Sequence, residues 1–139
     1  MTEKTLRELI TIPWLDELVL DLPGAVTFVK PEWDAYVLAV GTKQFARLGE
    51  DGEGIPSITL KGDPHENSAL RQAYPEVVPG YYSNKVHWNT IRFVPEATIP
   101  AERVRELLEH AYEIVFGSLS KKLQAELRHG SAGTADGQN

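Results

Sequence analysis

The alternation of apolar and polar positions divides the chain into two helical ends and a strand-rich middle. Near the N-terminus, Thr5 and Glu8 stand at the spacing of a capping box, in which the carboxylate returns to the Thr5 amide. Pro13 interrupts that helix and suits the first position of a second one, where a missing N–H costs nothing. Leu15, Leu18, Val19 and Leu22 then recur at helical spacing and form one apolar face. Asp16 and Glu17 sit in the first turn, where the helix dipole favours acids, and the "LPG" of Leu22 to Gly24 ends the helix.

The middle of the chain changes period. "VTFV" and "AYVLAV" are β-branched and aromatic, and Gly41-Thr42 separates two strand-like runs as a type II′ hairpin would. That register sets Leu38 opposite Phe45 and Val40 opposite Lys43, and places Phe45 in the core. "SITLK" and "WNTIRFV" alternate strictly. Ile58, Leu60, Ile91 and Phe93 belong to one face; Ser57, Thr59, Lys61, Trp88, Thr90 and Arg92 belong to the other. Between them "DPHENSALRQAY" reads as a short helix, with Asp63 as N-cap and Pro64 in its first turn, ended by Pro75 and a "VPGYY" turn. The clearest helix follows Pro100. Val104, Leu107, Leu108, Ala111, Val115 and Leu119 line one side of it, and it runs on past Gly117 to about Arg128. This order predicts an α+β fold: an antiparallel sheet of about five strands with the N- and C-terminal helices on one face. Residues 1–128 form one domain, and the low-complexity residues 129–139 form a disordered tail.

Composition narrows the chemistry. The 139 residues carry a net charge of −6, so any nucleic-acid role needs a local basic patch working against a repulsive field. Cysteine is absent, which removes disulfides, thiolate zinc sites and cysteine nucleophiles. The polar start "MTEKTLREL" is no signal peptide and no apolar run reaches membrane length, so a cytoplasmic location is expected. No serine elbow, Walker loop or dinucleotide fingerprint is present. "EDGEG", Glu50 to Gly54, is glycine-rich, but its three acids would repel phosphate. His65, His87, His110 and His129 are scattered, and Leu107 stands where a Glu-x-x-His motif ending at His110 needs its acid. Glu106, Glu109, His110 and Glu113 read as a solvated helix face, Asp63 and His65 as a helix start, and Asp16, Glu17 and Asp21 as helix N-terminal acids. The expectation is a non-enzymatic protein without cofactor or metal.

One segment departs from this acidic background. "YPEVVPGYYSNKVHWNTIRF", Tyr74 to Phe93, is aromatic and basic and has no acid after Glu76. If the strands holding Lys61 and Trp88 share the sheet, one outer face carries Trp88, Arg92 and Lys61. Lys85 and His87 flank it, with Tyr81 and Tyr82 in the approach loop, and Lys43 and Arg47 could extend it. Such a surface stacks on bases or rings and contacts phosphates. Two alternatives stand beside nucleic acid. The same surface could bind a small molecule or a protein. Or Trp88 could cover a small second core, with Lys61 and Arg92 snorkelling at its rim.

"GTKQFARL", "LKGDP", "LRQAYPEVVPGYYSNKVHWNTIRF" and "IPAERVRELLEHAYEIV" together resemble the MmcQ/YjbR family, over about Leu15 to Leu123. The resemblance implies a compact α+β domain similar to the frataxin (CyaY) fold, and DNA binding through a double-wing arrangement; with few basic residues on an acidic chain, such binding is expected to be weak and salt-sensitive. The family's recurring residues fall on Lys43, Phe45, Lys61, Pro79, Lys85, His87, Trp88 and Tyr112. These mark the family; none is an established catalytic residue. Where the family often has Ser-Tyr in the last helix, this chain has Ala111-Tyr112, and residues 1–12 look like an addition.

Overall fold

The computed structural model describes residues 5–80 and 84–133. Five α-helices, α1 (Leu6–Leu9), α2 (Ile12–Val19), α3 (Pro64–Ala73), α4 (Ala101–Gly117) and α5 (Lys121–Gly133), accompany six strands. The strands are β1 (Ala25–Lys30), β2 (Ala35–Val40), β3 (Lys43–Glu50), β4 (Pro56–Lys61), β5 (Val77–Pro79) and β6 (Trp88–Arg92). They form one antiparallel sheet in the order β1-β2-β3-β4-β6-β5. The α+β architecture is as expected. The sheet has one strand more than expected, because the "VVP" of the supposed turn pairs with β6 as Val77↔Ile91, Val78↔Thr90 and Pro79↔Asn89.

Local chemistry sets the element ends. The Thr5–Glu8 capping box forms, with the Thr5 amide donating to Glu8 Oε1 at 2.8 Å. Asp63 caps α3 by accepting from the amides of His65 and Glu66. Gly41 has φ 63° and no positive φ is found at Thr42, the pattern of a type II′ turn. The last helix is not continuous. α4 stops at Gly117, and Ser120 starts α5 by accepting from the Leu123 amide at 3.1 Å. α5 runs to Gly133, beyond the boundary expected at residue 128; residues 134–139 of the expected tail lie outside the described residues.

The helices pack on one face. Leu38, Val40, Phe45, Ile58, Leu60, Val77 and Ile91 from the sheet meet Leu15, Leu18, Leu70, Val104, Leu108 and Val115 from the helices. Leu6 and Ile10 are buried in the same core, so the N-terminal segment that looked like an addition supplies part of it. Among the described residues no helix is long and apolar enough to cross a membrane. The other face of the sheet presents Val37, Arg47, Thr59, Lys61, Trp88, Thr90 and Arg92 in register.

Candidate ligand surface on the open sheet face

Alternation and strand pairing bring this surface together. β4 and β6 are neighbours, with Lys61 opposite Trp88, Thr59 opposite Thr90 and Ser57 opposite Arg92. Arg47 sits opposite Thr59 on the next strand. The small polar residues form a buried floor: Thr59 and Thr90 share a hydroxyl hydrogen bond of 2.8 Å. Above them rises the half-buried Trp88 ring, with Lys61 Nζ 5.6 Å and Arg47 Cζ 6.0 Å from its centre. Both cations are within the range where the ring's negative face attracts charge. Burial lowers the Arg47 pKa from its usual value, and at neutral pH a guanidinium remains charged.

Trp88 is held from behind by glycine. The Gly80 amide donates to the Trp88 carbonyl at 2.8 Å, and a Cβ on Gly80 would lie 2.6 Å from Trp88 Cβ. Any side chain there would push Trp88 off the sheet, which explains the glycine of "VPG" better than the turn expected at that point.

The turn before Trp88 carries Lys85 and His87, both exposed. Its shape comes from Asn84, whose Oδ1 accepts from the amides of Val86 (2.9 Å) and His87 (3.2 Å). A buried polar network anchors it. Asn67 Nδ2 donates to the carbonyls of Val86 (3.1 Å) and Gly62 (3.4 Å), and Asn89 Nδ2 donates to the Asn67 carbonyl (3.2 Å). Arg71 donates to Asn89 Oδ1 at 2.6 Å and to the Lys85 carbonyl at 3.4 Å. Asn67 and Asn89 carry no apolar-periodicity signal, so nothing in the pattern of the sequence pointed to them.

The structure redistributes the expected site residues. Lys61, Trp88 and Arg92 share the open face as the alternation required. Arg92 is occupied, however: it donates to Asp51 (2.6 Å) and to Glu53 (2.5 Å). The "EDGEG" loop therefore neutralises one of the three cations expected to meet phosphate. Lys43 is exposed but does not join this face of the sheet. Lys43 pairs with the core residue Val40, as the hairpin register expected, but a register shift between Leu38 and Ala39 puts Ala46 instead of Phe45 opposite Leu38 and so brings Arg47 opposite Val37 on the open face. Lys43 Nζ reaches Ser118 Oγ at the end of α4 (3.3 Å). Phe45 is core, as expected. Tyr81 and Tyr82 lie outside the described residues. Lys61 and Lys85 have no carboxylate within ion-pairing distance among the described residues.

The Arg92 clamp has a pH signature. Burial pushes the Asp51 carboxyl upward, but the Ile55 amide, the Arg92 guanidinium and the Glu53 amide outweigh it, and its pKa falls below the ordinary 3.8. A depressed carboxylate adds stability above the unfolded value and loses it as pH drops through the folded one. Asp51→Asn should therefore be less stable than the wild type at pH 7, with the gap closing towards pH 3. Urea melts at the two pH values measure this; a gap equal at both would show that Asp51 gives no ionisation-linked stability.

The outer helix surface behaves as a solvated charged face. Arg103 pairs with Glu66 (3.4 Å) and Glu106 (3.2 Å), and His110 lies between Glu66 (3.8 Å) and Glu113 (3.7 Å). No group of three His, Cys, Asp or Glu among the described residues is placed to hold a metal ion.

With this geometry in hand, the chain can be set beside known proteins. Residues 20–114 match the YjbR family model. The chain is similar to the uncharacterized protein YbdF of Escherichia coli O157:H7, 36% identical over 72% of this chain and 78% of that one. It is also similar to the uncharacterized protein YjbR of Escherichia coli K12, 30% identical over 75% of this chain and 86% of that one. Among solved structures, DR2400 of Deinococcus radiodurans, a DUF419-domain protein, superposes with a TM-score of 0.73 at 30% identity, covering 86% of this chain and 88% of that one. A Pseudomonas syringae protein shares the fold at a TM-score of 0.61 and 18% identity, covering 76% of this chain and 98% of that one.

Proposed function

The chain belongs to the YjbR family, and we propose that its open sheet face is a weak, salt-sensitive binding surface for single-stranded nucleic acid. The observation that carries this reading is the Trp88 ring with Lys61 and Arg47 on its flanks. A base stacks on an indole irrespective of its sequence, and cations beside the ring meet the adjoining phosphates. Lys85, exposed on the preceding turn, extends the basic track by one contact. A pleated sheet face offers a splayed strand a platform; duplex grooves are read by protruding helices or ribbons. The role is binding, and no side chain is asked to do chemistry.

The charge balance sets the strength. With Arg47, Lys61 and Lys85 engaged, log K should fall against log salt with a slope of about −2, at roughly −0.7 per phosphate contact on single strands. The acidic field of the chain, net −6, opposes the approach of a polyanion and keeps affinity modest.

Fluorescence anisotropy with labelled single- and double-stranded DNA, at low and physiological salt, tests this. Lys61→Ala and Lys85→Ala are each expected to weaken single-strand binding severalfold. Arg92→Ala should change it little, because Asp51 and Glu53 already hold that guanidinium. Absence of binding at low salt, or binding indifferent to Lys61→Ala and Trp88→Phe, would remove the nucleic-acid reading. The closeness of two cations to one ring also suits a single mononucleotide-like ligand. A melting shift with mononucleotides, without oligonucleotide binding, would favour that alternative.

A further inference from the structure

The two edges of the sheet are built differently. β5, at one edge, has three residues, and Pro79 at its end has no N–H to offer. β1, at the other, has six residues and no proline. Three of its side chains are exposed apolar groups: Val26 at 51%, Phe28 at 43% and Val29 at 62%. Among the described residues no backbone hydrogen bond from outside the sheet reaches Val26 to Val29. α5 does not cover this edge; Leu127 and Leu123 pack at the end of the sheet, against Gly24 and Gly41. An apolar strand of this length with open donors and acceptors templates another strand.

We propose that β1 is a homodimer interface, pairing antiparallel with β1 of a second copy about a two-fold axis through Thr27. Three features select a second copy. The first is charge. The chain carries 20 acids against 14 lysines and arginines, yet Ala25–Lys30 contains no acid and one lysine, so the two strands themselves pair without acid facing acid; the acid beside the axis, Asp16, accepts from the Thr27 and Tyr36 hydroxyls of its own chain. The second is register. Directly opposed residues in an antiparallel pair share a face. Centring on Thr27 sets Val26 against the partner's Phe28 on the open face and Ala25 against the partner's Val29 on the helix side. Lys30 meets Gly24, and no like charges oppose. Moving the centre to Phe28 would set Val26 against Lys30. The third is closure. Pro79 and the shortness of β5 disfavour head-to-tail joining of β1 to β5, the route to open filaments, and leave the closed isologous pair. The two sheets then continue into one another, and the Trp88 faces lie on the same side at the junction.

Sedimentation velocity of the full chain over a wide concentration range tests this. The wild type should approach twice its 15.5 kDa mass as concentration rises. Phe28→Lys and Val29→Lys should sediment as monomers while keeping the wild type's circular dichroism spectrum. Because the chain has no cysteine, Thr27→Cys provides an independent probe. Facing Thr27 positions lie within disulfide reach, so oxidation should give a covalent dimer. Val86→Cys, exposed elsewhere, should not. A wild type that remains monomeric throughout would overturn the proposal. So would a dimer that survives both lysine variants while Thr27→Cys fails to cross-link. If a lysine variant unfolds, the cross-linking result decides.

Discussion

Replacing Phe45 with alanine is expected to destabilise the fold by about 3–5 kcal/mol, the range for emptying a buried aromatic site. Phe45 is fully buried, and its ring meets Tyr112 edge-on, with centroids 5.7 Å apart and planes at 80°. Tyr112 cannot readily move into the gap, because its hydroxyl donates to the Pro23 carbonyl at 2.6 Å. It also packs on Phe116 at 5.6 Å. A cavity whose walls are pinned collapses poorly, which puts the cost in the upper part of the range. For a domain of this size Tm should fall by about 10–15 °C. Phe45→Leu, which keeps most of the volume, should lose markedly less. Phe45 faces the helices and Trp88 faces away, so the nucleic-acid binding proposed for the open face, measured below the melting point, should be the same in the alanine variant as in the wild type. Equal stability of Phe45→Ala and wild type would remove Phe45 from the centre of the core.

The same residue shows where sequence reading succeeded and where it stopped. β4 and β6 alternate without interruption, so period two alone placed Lys61, Trp88 and Arg92 on one face and Ile58, Leu60 and Ile91 on the other. In β3 the same rule put Lys43, Phe45 and Arg47 together. The bulge at Phe45 adds a residue and reverses the parity after it, so Lys43, before the bulge, stays with Val40 on the helix side while Arg47 is sent to the open face beside Trp88. No side chain in "GTKQFARL" announces a bulge. The Arg92 clamp was hidden for a different reason. Its partners Asp51 and Glu53 are about forty residues away in sequence, on a loop whose acids by themselves say only that it would repel phosphate. Alternation says which way a side chain points; which charge it meets depends on how the β3–β4 loop folds back. Gly80 was legible as a turn residue, but its contact with Trp88 required the short strand β5, and three residues are too few to show a period.

Glu76 carries the second large effect, and it lies within the aromatic segment that singled itself out by having no acid after it. Its residue is 5% exposed, and Oε2 accepts from the backbone amides of Thr98 and Ile99, both at 2.7 Å, and from the Thr98 hydroxyl at 3.4 Å. Those amides lead directly into α4, whose N-cap position is Pro100, a residue with no side-chain hydrogen bond to give. Glu76, the residue before β5, thus supplies the acceptor that the start of α4 lacks, and a carboxylate near the positive end of a long helix is further favoured. Removing it leaves at least one buried amide without a partner, and charge-assisted bonds are the stronger kind. Glu76→Ala should therefore destabilise the protein by about 2–4 kcal/mol. Glu76→Gln retains an acceptor oxygen but not the charge and should lose roughly half as much. Hydrogen exchange locates the effect: in Glu76→Ala the amides of Thr98 and Ile99 should exchange faster than in the wild type, beyond any change shared with the sheet. An alanine variant as stable as the wild type would show that the carboxylate is a bystander and that α4 starts without help from Glu76.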